Sequence, residues 1–514
     1  MSGATAPNGF WAQAAADPER TVLVAPDGEE WSAGRLLAAA NRMVHGLRAA
    51  GLGRDAFAVV LPNGAEFFTA HLAATQAGFY LVPVNHHFVA AEIAWIVAGS
   101  GAKVLIAHER FAGAVGAAAD EAGLASSHRY AVGTVPGFRP YAELLAGQPE
   151  SEPADRTLGW VMNYTSGTTG RPRGIRRPLP GRLPEESPLG GYLGIRPFDA
   201  NAHLVCSPLH HTAVLQFAAA ALHIGHPLVV MDTWAPEEML RLIDTYACTH
   251  THMVPTQFHR LLALPEETRA RYDVSSMRHA VHGAAPCPEH VKRAMIAWWG
   301  GCVEGYYAAG EGGGAFATAE EWLKRPGTVG RAWPISELAI LDDDGHPLPP
   351  GELGTVYLKM NTGGFQYHKD AAKTAKSRVG DFFTAGDLGH LDEDGCLYLR
   401  DRKIDMIISG GVNLYPAEIE AALLSHPAVA DAAAFGVPHT DRGEEVRAVV
   451  ETAEGYEEGP ALAEEILAHY AGRLAGFKHP KSLDFVAVMP RDPDGKLYKR
   501  RLRDPYGEGR ERPL

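Results

Sequence analysis

The segment Tyr164-Thr-Ser-Gly-Thr-Thr-Gly-Arg-Pro-Arg-Gly174 holds the densest chemistry of the chain. Thr165, Ser166, Gly167, Thr168, Thr169 and Gly170 are all hydroxylated or glycine, and Arg173 adds a fixed positive charge. Glycines let the backbone turn tightly and present N–H groups to an anion, and the hydroxyls add donors. Such a loop is suited to gripping a polyphosphate. It is not a Walker loop, because the Gly-x4-Gly-Lys-Ser/Thr spacing is absent. The apolar Leu158–Tyr164 before it reads as a buried strand that would carry the loop. A plain Ser/Thr/Gly surface turn is the alternative, and six such residues with a cation behind them favour phosphate.

Four further stretches suit the same ligand. Gly305-Tyr-Tyr-Ala-Ala-Gly-Glu311 sets Tyr307 and Glu311 four residues apart, fit for stacking on a base and for ligating magnesium. Thr384-Ala-Gly-Asp387 offers a carboxylate on a turn, suited to ribose hydroxyls. Arg400-Asp-Arg402 is followed by the Ser409-Gly410-Gly411 turn, and Pro490-Arg-Asp-Pro-Asp-Gly-Lys496 ends in a lysine on a tight loop. Each alone reads equally well as a hairpin or exposed turn.

Their order resembles the adenylate-forming superfamily of acyl-CoA synthetases, carrier-protein adenylation domains and beetle luciferases. The resemblance runs from about Phe57 to Lys496. It implies that Thr165–Gly170 and Arg173 hold the ATP phosphates and that Thr168 and Glu311 hold Mg²⁺. It places adenine between Tyr307 and the Gly283-Ala284-Ala285-Pro286 wall, with Tyr306, Ala308, Ala309 and Gly310 beside the nucleotide and acid. Asp387 and Arg402 would take the ribose, and Lys496 the carboxylate and α-phosphate oxygens. Glu311, Lys496 and His211, an aromatic gate between acyl pocket and thiol channel, form the implied catalytic set. The C-terminal domain would then swing, exchanging Lys496 for the Ser409-Gly410-Gly411 turn as CoA enters. Lys478 is either an adenylate or CoA contact or an ordinary solvated lysine. Three positions depart from the family pattern: Arg173 replaces Lys, Gly310 replaces Thr, and Ile404 occupies a hinge position that is normally polar.

These motifs need a layered scaffold. Strand-like Phe57–Leu61, Tyr80–Val84 and Lys103–Ala107 alternate with helix-like Ala65–Ala77 and Ala90–Ala98, the rhythm of a parallel α/β fold. The expected architecture is α/β. A large layered N-terminal domain, residues 1–401, holds doubly wound sheets and a small β subdomain after residue 327. A smaller mobile α+β domain follows at 402–514. The 514 residues exceed one core. A net charge of −14 argues against nucleic-acid binding. Five scattered cysteines without Cys-x-x-Cys argue against a disulfide framework or a zinc ribbon, and fit a reducing cytoplasm. No signal peptide or stable membrane insertion is expected.

The expected function is an ATP-, Mg²⁺- and CoA-dependent acyl-CoA synthetase. Small residues beside the carboxylate site, with the Arg171–Pro180 and Tyr306–Ala309 stretches, resemble actinobacterial ligases for steroid-like or terpenoid acids. A bulky polycyclic acid, such as a diterpenoid antibiotic precursor, is the expected substrate. Medium- or long-chain fatty acids remain an alternative, as do a half-reaction enzyme and a separate carrier protein as acceptor. The oligomer is a monomer or a homodimer. His223-Ile-Gly-His226 and Lys373-Thr-Ala-Lys-Ser377 echo class I aminoacyl-tRNA synthetases, but the position is wrong for the first nucleotide-binding strand.

Overall fold

The computed structural model describes residues 9–165, 172–186, 195, 201–361, 364–403, 405–409, 412–439, 443–471, 474–491 and 497–506. The first repeat is a parallel β-α-β-α-β unit: β1 (Ala56–Val60), α1 (Ala65–Ala77), β2 (Tyr80–Pro83), α2 (Ala90–Ser100) and β3 (Val104–His108). These strands lie in a six-stranded sheet. A second, larger sheet contains the parallel strands β4 (His203–Val205), β5 (His250–Met253), β6 (His279–His282) and β7 (Val303–Ala308).

The composition of α1 explains the layering. Twelve of its thirteen residues are buried, and apolar residues surround it on all sides. A helix without a polar face must lie between two layers. It packs with α3 (Thr212–His223) in one core that joins Phe57, Leu81 and Ile106 of the first sheet to Leu23, Val205 and Val230 of the second. Amphipathic helices cover the outer faces. Among them are α2 on the first sheet, and α4 (Pro255–Leu262) and α5 (Glu289–Trp299) on the second. The result is two sheets with helices between and outside them.

Beyond β7 the larger sheet turns antiparallel, as expected for a β subdomain, through Gly314–Ala317 and Thr328–Ala332 to β8 (Asp387–Leu391) and β9 (Leu397–Arg402). A separate five-stranded sheet begins at Ile407 and is built on the long hairpin Val429–His439/Gly443–Thr452. Helices Pro416–Leu423 and Pro460–Ala471 cover one of its faces.

The continuous strand expected over Leu158–Tyr164 is not formed. Trp160–Val161 pairs with β2, whereas Tyr164–Thr165 leaves that sheet for a hairpin with Arg173–Arg176. Asn163 marks the crossing, its carbonyl accepting from the Ile175 N–H. Among the described residues no helix is long and apolar enough to cross a membrane.

Candidate active site

Strand β7 carries the centre of the site. Successive side chains on a strand face opposite ways, so Tyr306 and Tyr307 enter different surroundings. The Tyr307 hydroxyl donates to Asp387 Oδ2 at 2.6 Å, and Asp387 Oδ1 lies 3.4 Å from Arg402 Nε. Asp387 and Arg402 are directly paired across β8 and β9, which fixes this bridge. Burial, reinforced by the Asp387 charge, pushes the Tyr307 hydroxyl far above its ordinary pKa and keeps it a neutral donor.

Glu311 lies just past β7 and is 8% exposed. Its Oε1 accepts from the Tyr367 hydroxyl at 2.7 Å. Burial, then the Glu311 charge, raises the Tyr367 pKa. Arg177 donates to the carbonyls of Glu311 at 2.6 Å and Gly310 at 3.5 Å, clamping the turn. A nearly buried carboxylate with one oxygen anchored in this way fits a hard cation such as Mg²⁺.

The Gly283–Pro286 wall follows β6. A Cβ on Gly283 would lie 2.3 Å from the Tyr306 ring, so glycine is what allows that ring to pack there. Ala284 takes a left-handed φ of 67°, a conformation that costs a non-glycine residue free energy and re-aims the chain. His211 is the residue before α3 and faces the same space. Arg173 Nε pairs with Asp370 Oδ2 at 3.2 Å.

One cavity of about 1670 Å³ brings these groups together. Arg173, His211, Ala284, Ala285, Pro286, Tyr306, Tyr307, Ala308, Ala309, Gly310, Glu311, Asp387 and Arg402 all line it. Leu497, Tyr498 and Lys499 of the C-terminal region line it as well. They follow the Arg491–Leu497 bridge and the Tyr498 N–H to Pro490 carbonyl bond at 3.0 Å. Lys496, like Ser166–Gly170, Ile404, Gly410 and Gly411, lies outside the described residues. Thr165 ends its short strand; Ser409 ends Ile407–Ser409 and does not line the cavity. Lys478 also stays outside it, with its ammonium 2.7 Å from both oxygens of Glu418.

His223 and His226 take no part in the cavity. His223 Nδ1 accepts from the Phe10 N–H at 3.2 Å, so the synthetase-like signature is a packing feature of the core.

Several cavity residues carry no motif. Tyr367 and Arg177 reach Glu311 from 56 and 134 positions away, a separation that local spacing does not reveal. Lys499, 2.8 Å from Glu420, lies three residues beyond the lysine singled out by its loop. Buried His252, His282 and Lys292 and half-buried Tyr306 line the cavity too, and of these only Tyr306 falls in one of the motifs.

A cleft that joins a tyrosine–carboxylate–arginine bridge to a nearly buried carboxylate has the polar groups a nucleotide and its cation need. Residues 10–364 match the AMP-binding enzymes, and residues 418–496 match the AMP-binding enzyme C-terminal domain. A long-chain-fatty-acid–CoA ligase of Mycobacterium tuberculosis is 32% identical over 91% of this chain and 92% of its own length. A feruloyl-CoA synthase of Amycolatopsis is 31% identical with the same coverage. The fold matches the crystal structure of the anthranilate CoA ligase AuaEII in complex with anthranoyl-AMP. That match has a TM-score of 0.84 at 24% identity, over 97% of this chain and 96% of the other. The chain belongs to the AMP-binding enzyme family, ATP-dependent, AMP-forming ligases that use Mg²⁺ and CoA.

Proposed function

We propose that the enzyme converts a bulky, largely hydrophobic carboxylic acid of terpenoid or steroid-like shape into its CoA thioester. The acid's carboxylate attacks the α-phosphorus of ATP, pyrophosphate leaves, and the acyl-adenylate is then attacked by the CoA thiol with departure of AMP. The observation that carries this reading is the set of small residues Ala284, Ala285, Ala308, Ala309 and Gly310 along the cavity. A flat or kinked ring system needs width beside the reacting carboxyl, and five residues with no side chain beyond Cβ leave it.

The residue roles follow from charge and position. Glu311 holds Mg²⁺, which when bound neutralises phosphate charge. Asp387 and Arg402 orient the ribose, with Tyr307 holding Asp387 while offering its ring to adenine. Arg173 and the Thr165–Gly170 loop take the phosphates, and Lys496 stabilises charge developing around the α-phosphorus. Lys496 acts in the first step and the Ser409–Gly411 turn in the second, after the domain beginning at residue 402 has rotated. Orientation of the segment 497–499 into the cavity supports assigning the present arrangement to the first step. CoA is the acceptor and the enzyme acts in the cytoplasm as a monomer or homodimer.

The test is a panel of fatty, aromatic and polycyclic acids scored separately for pyrophosphate release and acyl-CoA formation. Polycyclic acids should give the highest kcat/KM in both assays. A clear preference for straight-chain acids would overturn the substrate assignment, and pyrophosphate release without thioester would identify a half-reaction enzyme.

A further inference from the structure

Part of the cavity wall is polar where a pocket for a pure hydrocarbon would be apolar. His282 is 6% exposed and Lys292 2% exposed, yet both line the cavity. Neither imidazole nitrogen of His282 has a hydrogen-bond partner. The Lys292 ammonium lies 5.0 Å from the Trp322 ring centroid and has no carboxylate within ion-pairing distance among the described residues. Glu304, the nearby buried acid, is already paired with His279 Nδ1.

Gly305 turns these two groups into a site. A Cβ at this position would lie 2.8 Å from Lys292 Nζ and 3.0 Å from His282 Nε2. With no side chain at Gly305, the Lys292 ammonium and His282 Nε2 close in on its Cα from the same side, so a cation and an imidazole nitrogen converge at one place on the cavity wall. Next to it, His252 Nε2 and the Tyr306 hydroxyl are 2.9 Å apart and satisfy one another, whereas both nitrogens of His282 remain unmatched. Leaving buried donors unmatched is costly, and a ligand atom that matches them recovers that cost.

We propose that Lys292 and His282 form an oxygen-binding subsite above Gly305, which selects acids carrying a carbonyl or carboxylate oxygen remote from the reacting carboxyl. This inference rests on the ligase reading and narrows its substrate class from hydrophobic acids to oxygenated ones. Burial lowers the Lys292 pKa to about 8, against the raising influence of Cys287 and Glu304, so the ammonium remains mostly charged at pH 7. Burial, with the Lys292 charge, holds His282 neutral. One charged and one neutral donor suit a carbonyl or a carboxylate oxygen.

The test compares acids sharing one skeleton: 5β-cholanoic acid with its 3-oxo, 7-oxo and 12-oxo derivatives, and a fatty acid with the α,ω-diacid of equal length. The quantity read is the ratio of kcat/KM, by pyrophosphate release, for the oxygenated member over its plain partner. A ratio is unaffected by the fraction of a variant that folds. The wild type should favour at least one oxygenated member by about tenfold or more, as expected for a hydrogen bond to a charged group. The steroid and diacid arms separate a carbonyl ligand from a carboxylate. Lys292→Met removes the cation and Gly305→Ala fills the space, and each should bring the ratio to within about twofold of unity. Ratios near unity in the wild type, or ratios unchanged in both variants, overturn the subsite. Absence of pyrophosphate release with every acid overturns the ligase reading, and the subsite falls with it.

Discussion

Glu311 shows how far one residue's environment extends beyond its motif. The tyrosine–carboxylate spacing in Tyr307–Glu311 and the Asp387 turn were legible because each is local, and a family resemblance in order tied them together. Tyr367 and Arg177 were not legible, because they meet Glu311 through the tertiary fold. Their roles yield a prediction: Tyr367→Phe removes one bond to an ionised acceptor, worth roughly 1.5–3 kcal/mol. Adenylation kcat/KM for MgATP should fall by about tenfold or more, while thioester formation from supplied acyl-adenylate holds. Equal losses in the two half-reactions would show that Tyr367 supports the fold and not the carboxylate. Gly310 is the other residue-scale question, since a hydroxylated residue is usual there. If glycine provides width for the acid, Gly310→Thr raises KM for a polycyclic acid by about tenfold, the cost of a clash of roughly 1.4 kcal/mol, and spares a small acid. Steady-state kinetics with one acid of each kind decides the matter, and matching changes for both would remove Gly310 from the account of specificity.

At the scale of elements, the alternation of apolar runs located α1, α2 and the strands around them, because α1 is buried on every side between the layers and α2 buries one apolar face on the first sheet. It failed at Leu158–Tyr164, where an apolar run is shared between two sheets and only hydrogen-bond partners show the crossing. The packing of α1 on α3 has its own consequence. His71 on α1 and His223 on α3 are fully enclosed, with ring centroids 6.2 Å apart. Burial lowers His71 to a pKa of about 4 and His223, with the added influence of His71, to about 3. Both are depressed below the unfolded value of 6.5. Above pH 6.5 neither folded nor unfolded state is protonated, so they cost nothing there. As pH falls below 6.5 the unfolded chain takes up protons that the folded core refuses, and stability drops by up to about 1.4 kcal/mol per pH unit for each histidine. The urea midpoint should therefore decline between pH 6.5 and 4.5, and His71→Gln should make the decline shallower. An equally steep decline in that variant would assign the acid sensitivity to other groups.

For the whole molecule, the cleft between the layered domain and the C-terminal sheet turns separate motifs into one enzyme. A large N-terminal part and a smaller C-terminal one could be expected from the order of elements, but which face of the C-terminal part meets the cleft could not. That face is marked by a contact across the boundary, the Ala417 N–H donating to Asp401 Oδ2 at 3.0 Å. If Lys496 serves only the first arrangement of the domains, Lys496→Ala abolishes adenylate formation and leaves thioester formation from supplied acyl-adenylate intact. Comparable loss in both steps would deny the alternation. The central claim, attack of a carboxylate on the α-phosphorus followed by thiol transfer, is tested most directly by oxygen tracing. An acid labelled with ¹⁸O in its carboxyl group is turned over with ATP, Mg²⁺ and CoA, and the products are weighed by mass spectrometry. The account predicts AMP carrying a single ¹⁸O atom, unlabelled pyrophosphate and acyl-CoA retaining the other label; unlabelled AMP, or ADP with ¹⁸O in inorganic phosphate, would contradict it.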